Sequence, residues 1–260
     1  MMAAASLTFL VVGATGMTGR HVVQQLLEQG HLVRVIVRSK QRMLDALANL
    51  PDVKDRLLQV KEASLLDLTD GEICEQVKGT QAVICCLGHT MDFRGVFGHP
   101  RRLVTVAVKR LTTAMIQVSE NKQDNKQKFL LMGSNGVAHP GGRDDTRAFS
   151  DRALLTILRY LIPPHADNEE AAAYIYHSLG TSGLEWIVER PTDLVDGVAG
   201  DYILLDKPHG SLFGSGVATR ATVAKSMVDL LTSKNLWDKY KFTMPVVQDV
   251  KKNDVAEETK

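Results

Sequence analysis

Three glycines spaced three apart, Gly13, Gly16 and Gly19, follow directly on the apolar run from Leu7 to Val12. Behind them comes a helical pattern from Arg20 to Gln29, with Val22, Val23, Leu26 and Leu27 apolar. A strand, a tight glycine turn and a helix in that order can hold a diphosphate through main chain alone. The first glycine permits the sharp turn, the second keeps side chains away from the ligand, and the third lets helix and strand pack closely. The helix start adds unpaired N–H groups and a partial positive charge. The cradle predicted here is the main chain of Gly13, Ala14, Thr15, Gly16, Met17, Thr18 and Gly19.

A second group stands at the end of the next apolar run, Leu32 to Val37: Arg38, Ser39, Lys40 and Arg42. In a nucleotide-binding sheet the adenosine ribose lies here. An acid holds the 2′-hydroxyl of NAD, whereas basic residues accommodate the 2′-phosphate of NADP. No acid stands in this stretch, and an arginine fork donates two hydrogen bonds at once to a phosphate. Arg38, Ser39 and Arg42 are therefore predicted to hold NADP, with NADPH preferred over NADH. Arg34, inside the apolar run, is expected at a solvated strand edge.

The G-x-x-G-x-x-G spacing, with Thr15 and Thr18 between the glycines, resembles the extended and atypical short-chain dehydrogenase/reductase proteins, especially their NmrA-like and flavin-reductase-like NAD(P)H-binding members. The segment SGLEWIVERPTDLVDG is similar to a strand segment of the same families. With the basic end of the second strand, the resemblance covers most of residues 7 to 200. It implies a Rossmann-like, doubly wound parallel α/β sheet, and it implies further cofactor contacts. Asp67 and Leu68 would border the adenine, although Asp67 also stands where a helix needs a cap. Leu87 and Gly88 would lie beside ribose and pyrophosphate. Gly133 and Ser134, with Arg190 and Pro191, would line the nicotinamide pocket; Arg190 has a structural ion pair as its competing role.

Members with full machinery carry a tyrosine four residues before a lysine, with a serine upstream, an arrangement for tuned proton transfer. No tyrosine here has that lysine: four residues after Tyr160, Tyr174, Tyr176, Tyr202 and Tyr240 come Pro164, Ser178, Gly180, Asp206 and Met244. The catalytic candidates left are Ser134, which is also a natural turn residue, and Tyr174, with Tyr176 near it. Helix packing is the competing role for both tyrosines. His139 and His165 are candidate proton shuttles, and Asn168 a candidate substrate contact or cap. The resemblance then implies an NADPH-dependent reductase of the atypical type, transferring hydride to a small planar acceptor such as a flavin or quinone. The alternative is a redox sensor or scaffold that binds NADP(H) without turnover, which the missing pair also fits. An epimerase or dehydratase leans harder on the absent tyrosine.

The elements that must position these groups follow in order. Gly30 caps the first helix. A helix from Met43 to Leu50 is ended by Pro51, and a strand runs from Leu57 to Val60. A helix from Thr69 to Val77 precedes a strand from Gln81 to Leu87, which leads into Gly88, His89 and Thr90. After a long helix, Arg101 to Gln117, the strand Phe129 to Met132 opens a glycine-rich loop to Arg147, expected as the rim of the site and a mobile lid. An amphipathic helix from Phe149 to Leu161 is stopped by Pro163 and Pro164; the next opens at His165, with capping-box spacing between Asp167 and Glu170. Leu184 to Val188 is a sixth strand. Residues 1–248 are read as one NAD(P)-binding domain with a small C-terminal substrate lobe at about 192–248 that holds Met227 to Leu231 and Tyr240 to Val247. Residues 249–260 are read as a flexible tail.

Composition sets the bounds. The chain has 260 residues, 44% of them hydrophobic, enough for a substantial core. Its 31 basic and 30 acidic residues give no charge excess that would seek nucleic acid or an anionic membrane. Cys74, Cys85 and Cys86 form no framework, which fits a reducing compartment. Neither C-x-x-C nor H-E-x-x-H is present, so no metal site is predicted. The first apolar run is too short to span a bilayer and reads as the first strand. The expectation is a cytoplasmic monomer or homodimer whose partner is a small-molecule substrate.

Overall fold

The computed structural model describes residues 6–89, 98–119, 126–144, 146, 148–181, 183–209 and 216–250. Of the positions named above, Thr90, Arg147 and most of the expected tail lie outside the described residues.

β1 (Thr8–Val12) is covered on both faces: Phe9 and Val11 enter one core, Leu10 and Val12 the other. A strand buried twice has no polar face, hence the continuous apolar run. β2 (Leu32–Val37) and β4 (Ala82–Cys85) flank it in parallel. Beyond them lie β3 (Leu58–Glu62), β5 (Lys128–Met132) and β6 (Glu185–Pro191), all parallel. β10 (Val246–Asp249) pairs in parallel with β6, and β8 (Tyr202–Leu205) closes the edge antiparallel. The order is β3-β2-β1-β4-β5-β6-β10-β8. Strand direction in the sequence order reverses across β1, so a crevice opens outside the carboxyl ends of β1 and β4. A separate parallel pair joins β7 (Asp193–Val195) to β9 (Val217–Thr219).

On one face pack α1 (Gly19–Glu28), α2 (Lys40–Ala46), α3 (Pro51–Leu57), α8 (Arg220–Thr232) and α9 (Lys234–Tyr240). On the other lie α4 (Asp70–Val77), α5 (Leu103–Ser119) and α7 (Pro163–Tyr174), with α6 (Phe149–Leu161) against α7. α7 continues into a π-helical turn, Ile175–Leu179. α1 ends where Gly30, at φ +80°, donates its N–H to the Leu27 carbonyl while His31 donates to Leu26. That left-handed stop needs a glycine.

Several expectations change. Pro51 does not merely end a helix: α2 stops at Ala46, and Pro51 opens α3. Pro163 likewise starts α7 instead of only stopping α6. Proline suits a first helical turn, where its missing N–H would have no partner anyway. The capping box belongs to Thr69 and Glu72 at the start of α4, not to Asp167 and Glu170. Arg34 is half-buried, and its guanidinium donates to the carbonyls of Gln76 and Lys78, closing the end of α4. Met227, Val228, Leu230 and Leu231 share one core with Phe9 and Val22, so this part of the expected C-terminal lobe is integrated with the main sheet.

One buried acid stands out in that core. Glu189 has no exposed surface; Ser226 Oγ donates to its Oε1 at 2.5 Å, and Oε2 has no partner. Burial raises its pKa from 4.5 to about 8, against the opposing pull of the Ser226 bond. Between these values the folded chain keeps a proton that the unfolded chain has released. The Glu189 contribution is thus intact below pH 4.5 and lost as pH rises to about 8. Glu189→Gln is expected to remove this decline, which urea midpoints measured at about pH 5 and about pH 8 would reveal as a flatter dependence than in the parent protein.

Candidate functional site

The glycine turn is built by steric exclusion. A Cβ on Gly13, at φ +76°, would stand 2.5 Å from the Cys86 carbonyl carbon and oxygen and 2.7 Å from Leu87 N. A Cβ on Gly19 would stand 2.3 Å from the Gly13 carbonyl oxygen. Gly16 is different: among the described residues the one contact its Cβ would meet is Gly13 O, at 3.0 Å. Two glycines thus let main chain pack on main chain, and the middle one keeps the outer surface bare. The Thr18 N-cap makes no side-chain cap bond, so no side chain competes for the first amides of α1. Such a cradle fits a dinucleotide's diphosphate. Behind it, Cys85 and Cys86 are buried; desolvation pushes the Cys85 thiol up to about 12 and raises Cys86 well above its usual value, so both are inert.

At the carboxyl end of β2, Arg38, Lys40 and Arg42 are exposed. Ser39 caps α2, its Oγ accepting from Arg42 N at 3.2 Å. One acid missed in the sequence joins them from the neighbouring strand: the Glu62 carboxylate accepts the Lys40 N–H at 2.9 Å. Register places Glu62 beside Val37, a relation visible only once β2 and β3 pair. Asp67 is exposed and does not cap α4, while Leu68 is buried. Arg110 of α5 fixes this loop by donating to the carbonyls of Leu65, Leu66 and Leu68.

At the ends of β4, β5 and β6, Leu87 is half-buried and Gly88 exposed. His89 Nε2 lies 2.8 Å from Asp167 Oδ2, and Asp167 also accepts from Val104 N and Thr105 N at 2.8 and 2.9 Å. Asp167 therefore caps α5 across space instead of its own helix. Gly133 N donates to Glu189 O and Asn135 N to Pro191 O, which stitches the Ser134 turn to β6. Ser134 is exposed, its Oγ accepting from Gly136 N at 3.1 Å.

Arg190 takes the structural role. It has no exposed surface; Nε donates to Met244 O, and Nη1 donates to Val137 O and to the Asp144 carboxylate at 2.8 Å. Pro191 is buried as well. Neither presents a surface to a ligand, which corrects both expected pocket contacts. Asp144 in turn accepts from His139 N, and His139 Nδ1 accepts from Gly141 N. Burial, then the Arg190 charge, hold His139 below its ordinary pKa, and its Nδ1 is taken up by Gly141 N within the turn. With Val137 in the core, the described part of the expected lid is pinned to the sheet.

Tyr174 also departs from expectation. Its hydroxyl is 3.5 Å from Thr112 Oγ1 and its ring lies under Lys109, between α7 and α5. That is nine residues past His165, about 14 Å down the helix from the carboxyl edge. Periodicity gave its side of the helix but not its height. Tyr176 packs against His139 and Trp186 beneath Gly141. Asn168 is half-buried in α7. The side chain brought up to the Ser134 turn is instead His165: its Cε1 is 3.6 Å, and Ser134 Oγ 3.5 Å, from the point a Gly136 Cβ would occupy. Among the described residues, no cluster of three His, Cys, Asp or Glu is placed to hold a metal, and no helix is long and apolar enough to cross a membrane.

The family model described as NAD(P)H-binding matches residues 13–234. A Synechocystis protein provisionally named a dihydroflavonol 4-reductase is 37% identical over 81 residues, 31% of this chain and 21% of that protein. This chain thus spans about a fifth of that relative's length. An uncharacterized chloroplastic protein of Arabidopsis thaliana is 28% identical over 228 residues, covering 85% of this chain and 70% of its own. A solved Lactobacillus casei structure superposes with a TM-score of 0.67 at 20% identity, over 94% of this chain and all (100%) of that one, a likeness of fold.

The turn's geometry sets an order of sensitivity. Gly13→Ala is expected to cost about 2–3 kcal/mol, through strain and main-chain collision, and Gly16→Ala distinctly less. Denaturant midpoints of the two variants check this.

Proposed function

The chain belongs to the NAD(P)H-binding family, and from that premise we propose that it is an NADPH-dependent reductase acting on a small planar acceptor, a flavin-like or quinone-like ring. The observation that carries the proposal is the bare outer surface at Gly16, next to a helix start that no side chain caps. When bound there, the reduced dinucleotide supplies a hydride. The chain's own residues bind, orient and shield. Main-chain amides from Gly13 to Gly19 hold the diphosphate. Arg38, Lys40 and Arg42 attract the 2′-phosphate, and together they outweigh the Glu62 carboxylate beside them. Ser134, exposed at the end of β5, hydrogen-bonds the acceptor and fixes its orientation. The missing Tyr-x-x-x-Lys pair is the reason for a planar acceptor: a conjugated ring spreads the charge it gains and asks less of a fixed acid.

NADPH is expected to bind at least about tenfold more tightly than NADH, a difference of ~1.4 kcal/mol, and the Arg38→Ala/Arg42→Ala double variant to erase it. Calorimetric Kd values for both dinucleotides decide the matter; equal affinity in the parent protein overturns the preference. NADPH oxidation with a panel of free flavins and quinones tests turnover. Ser134→Ala is expected to slow it about tenfold or more. Tight NADPH binding with no turnover across the panel would make the protein a sensor, the reading that the absent pair also favours.

A further inference from the structure

We propose that His165, oriented by Glu169, is the proton donor to the acceptor bound beside Ser134; this rests on the reductase proposal and supplies the acid that the missing tyrosine leaves unassigned. His165 and Glu169 stand one turn apart on α7, with Nε2 and Oε1 separated by 3.6 Å. Both side chains are largely buried, at 14% and 11% exposure. Nε2 is a buried nitrogen with no hydrogen-bond partner, and Glu169 is the carboxylate that faces it. Glu169 is itself clamped by the Arg159 guanidinium from α6, Nη2 donating to Oε1 at 3.1 Å. Despite the upward push of burial, the facing His165 and the Arg159 guanidinium hold its pKa down to about 2, so it stays charged. A fixed carboxylate beside one ring nitrogen sets the orientation of the ring.

One ring atom, Cε1, reaches the site. Cε1 and Ser134 Oγ border the same small space, the one a Gly136 side chain would fill. Cε1 is bonded to both ring nitrogens; Nε2 is turned to Glu169, which leaves Nδ1 as the nitrogen assigned to donate. In the reaction the acceptor gains one hydride, with its electron pair, from the dinucleotide. It gains one proton from His165 Nδ1 on the heteroatom that carries the developing negative charge. The products are a reduced acceptor, an oxidised dinucleotide and a neutral imidazole, which water reprotonates.

The first test needs no turnover. In an NMR titration with NADP⁺, the His165 Cε1–H resonance is expected to shift together with the Gly13 and Gly16 amides. His31, packed on Phe9 and close to Leu7 N at the opposite end of β1, is the fixed control. Glycine amides that move while His165 stays still overturn this inference alone; if none moves, the cofactor reading falls and takes this one with it.

The second test is kinetic. His165→Gln is expected to lower kcat about a hundredfold with the NADPH Kd within about twofold. Added imidazole is expected to restore part of the rate in His165→Ala. Glu169→Gln, a positioning change, is expected to lower kcat about tenfold while leaving the acceptor KM unchanged. Gly136→Ala, whose methyl meets its neighbours at ordinary contact distance, folds normally and is expected to separate acceptor from donor, with a loss in kcat/KM of about tenfold or more. His165→Gln turning over within about twofold of the parent rate overturns the inference.

Discussion

Main chain rests directly on main chain where β1 ends. Gly13 leaves no space for a methyl group against Cys86 and Leu87, and Gly19 leaves none against Gly13. Three segments of backbone (the end of β1, the start of α1 and the end of β4) thereby share one small volume. The contact settles where α1 points and how near it comes to the adjacent strand. The crevice at the reversal of strand order follows from it, and so does the direction in which the first amides of α1 face. Nothing further along the chain would meet a ligand properly if this approach were relaxed by even a carbon atom.

Around that crevice, the connecting loops are held by a few long-reaching polar side chains. Arg110 gathers the carbonyls between Leu65 and Leu68; Asp167 closes the amino end of α5; Arg190 with Asp144 ties the loop after β5 to β6. Each satisfies main-chain groups that would otherwise be buried without partners, an expensive state. The loops are tied here by contacts separable from the core: the hydrophobic clusters hold the layers together, and these ionic side chains set the shape of the rim.

What was legible in the sequence follows the range of the forces involved. β1, β2 and α6 are written in local periodicity, and the glycine turn in spacing, so all four are found nearly to the residue. The prolines misled because the same ring that stops one helix preorganises the start of the next. Asp167 reads as a local cap, since Glu170 stands three residues on. Its true partners, Val104 and Thr105, are more than sixty residues away, and no local pattern reports them. Arg190 and Asp144, 46 residues apart, are illegible for the same reason. The candidate site divides along this line: the glycine turn is local and legible, whereas the grouping of Ser134, Gly136 and His165 exists only because the loop after β5 meets α7.

The pairing of α1 with α8 has a consequence for how the chain is made. Gln25 donates to the Ala221 carbonyl, 196 residues downstream, and Val22 and Leu26 share their core with Val223, Met227 and Leu230. At ribosomal speeds that cover emerges roughly ten to forty seconds after the helix it protects. Throughout this interval the α1 stripe, the kind of apolar surface that chaperones grip and that neighbouring nascent chains stick to, lacks that part of its cover. The order of synthesis thus sets when this half of the core can close, whatever the stability of the finished fold.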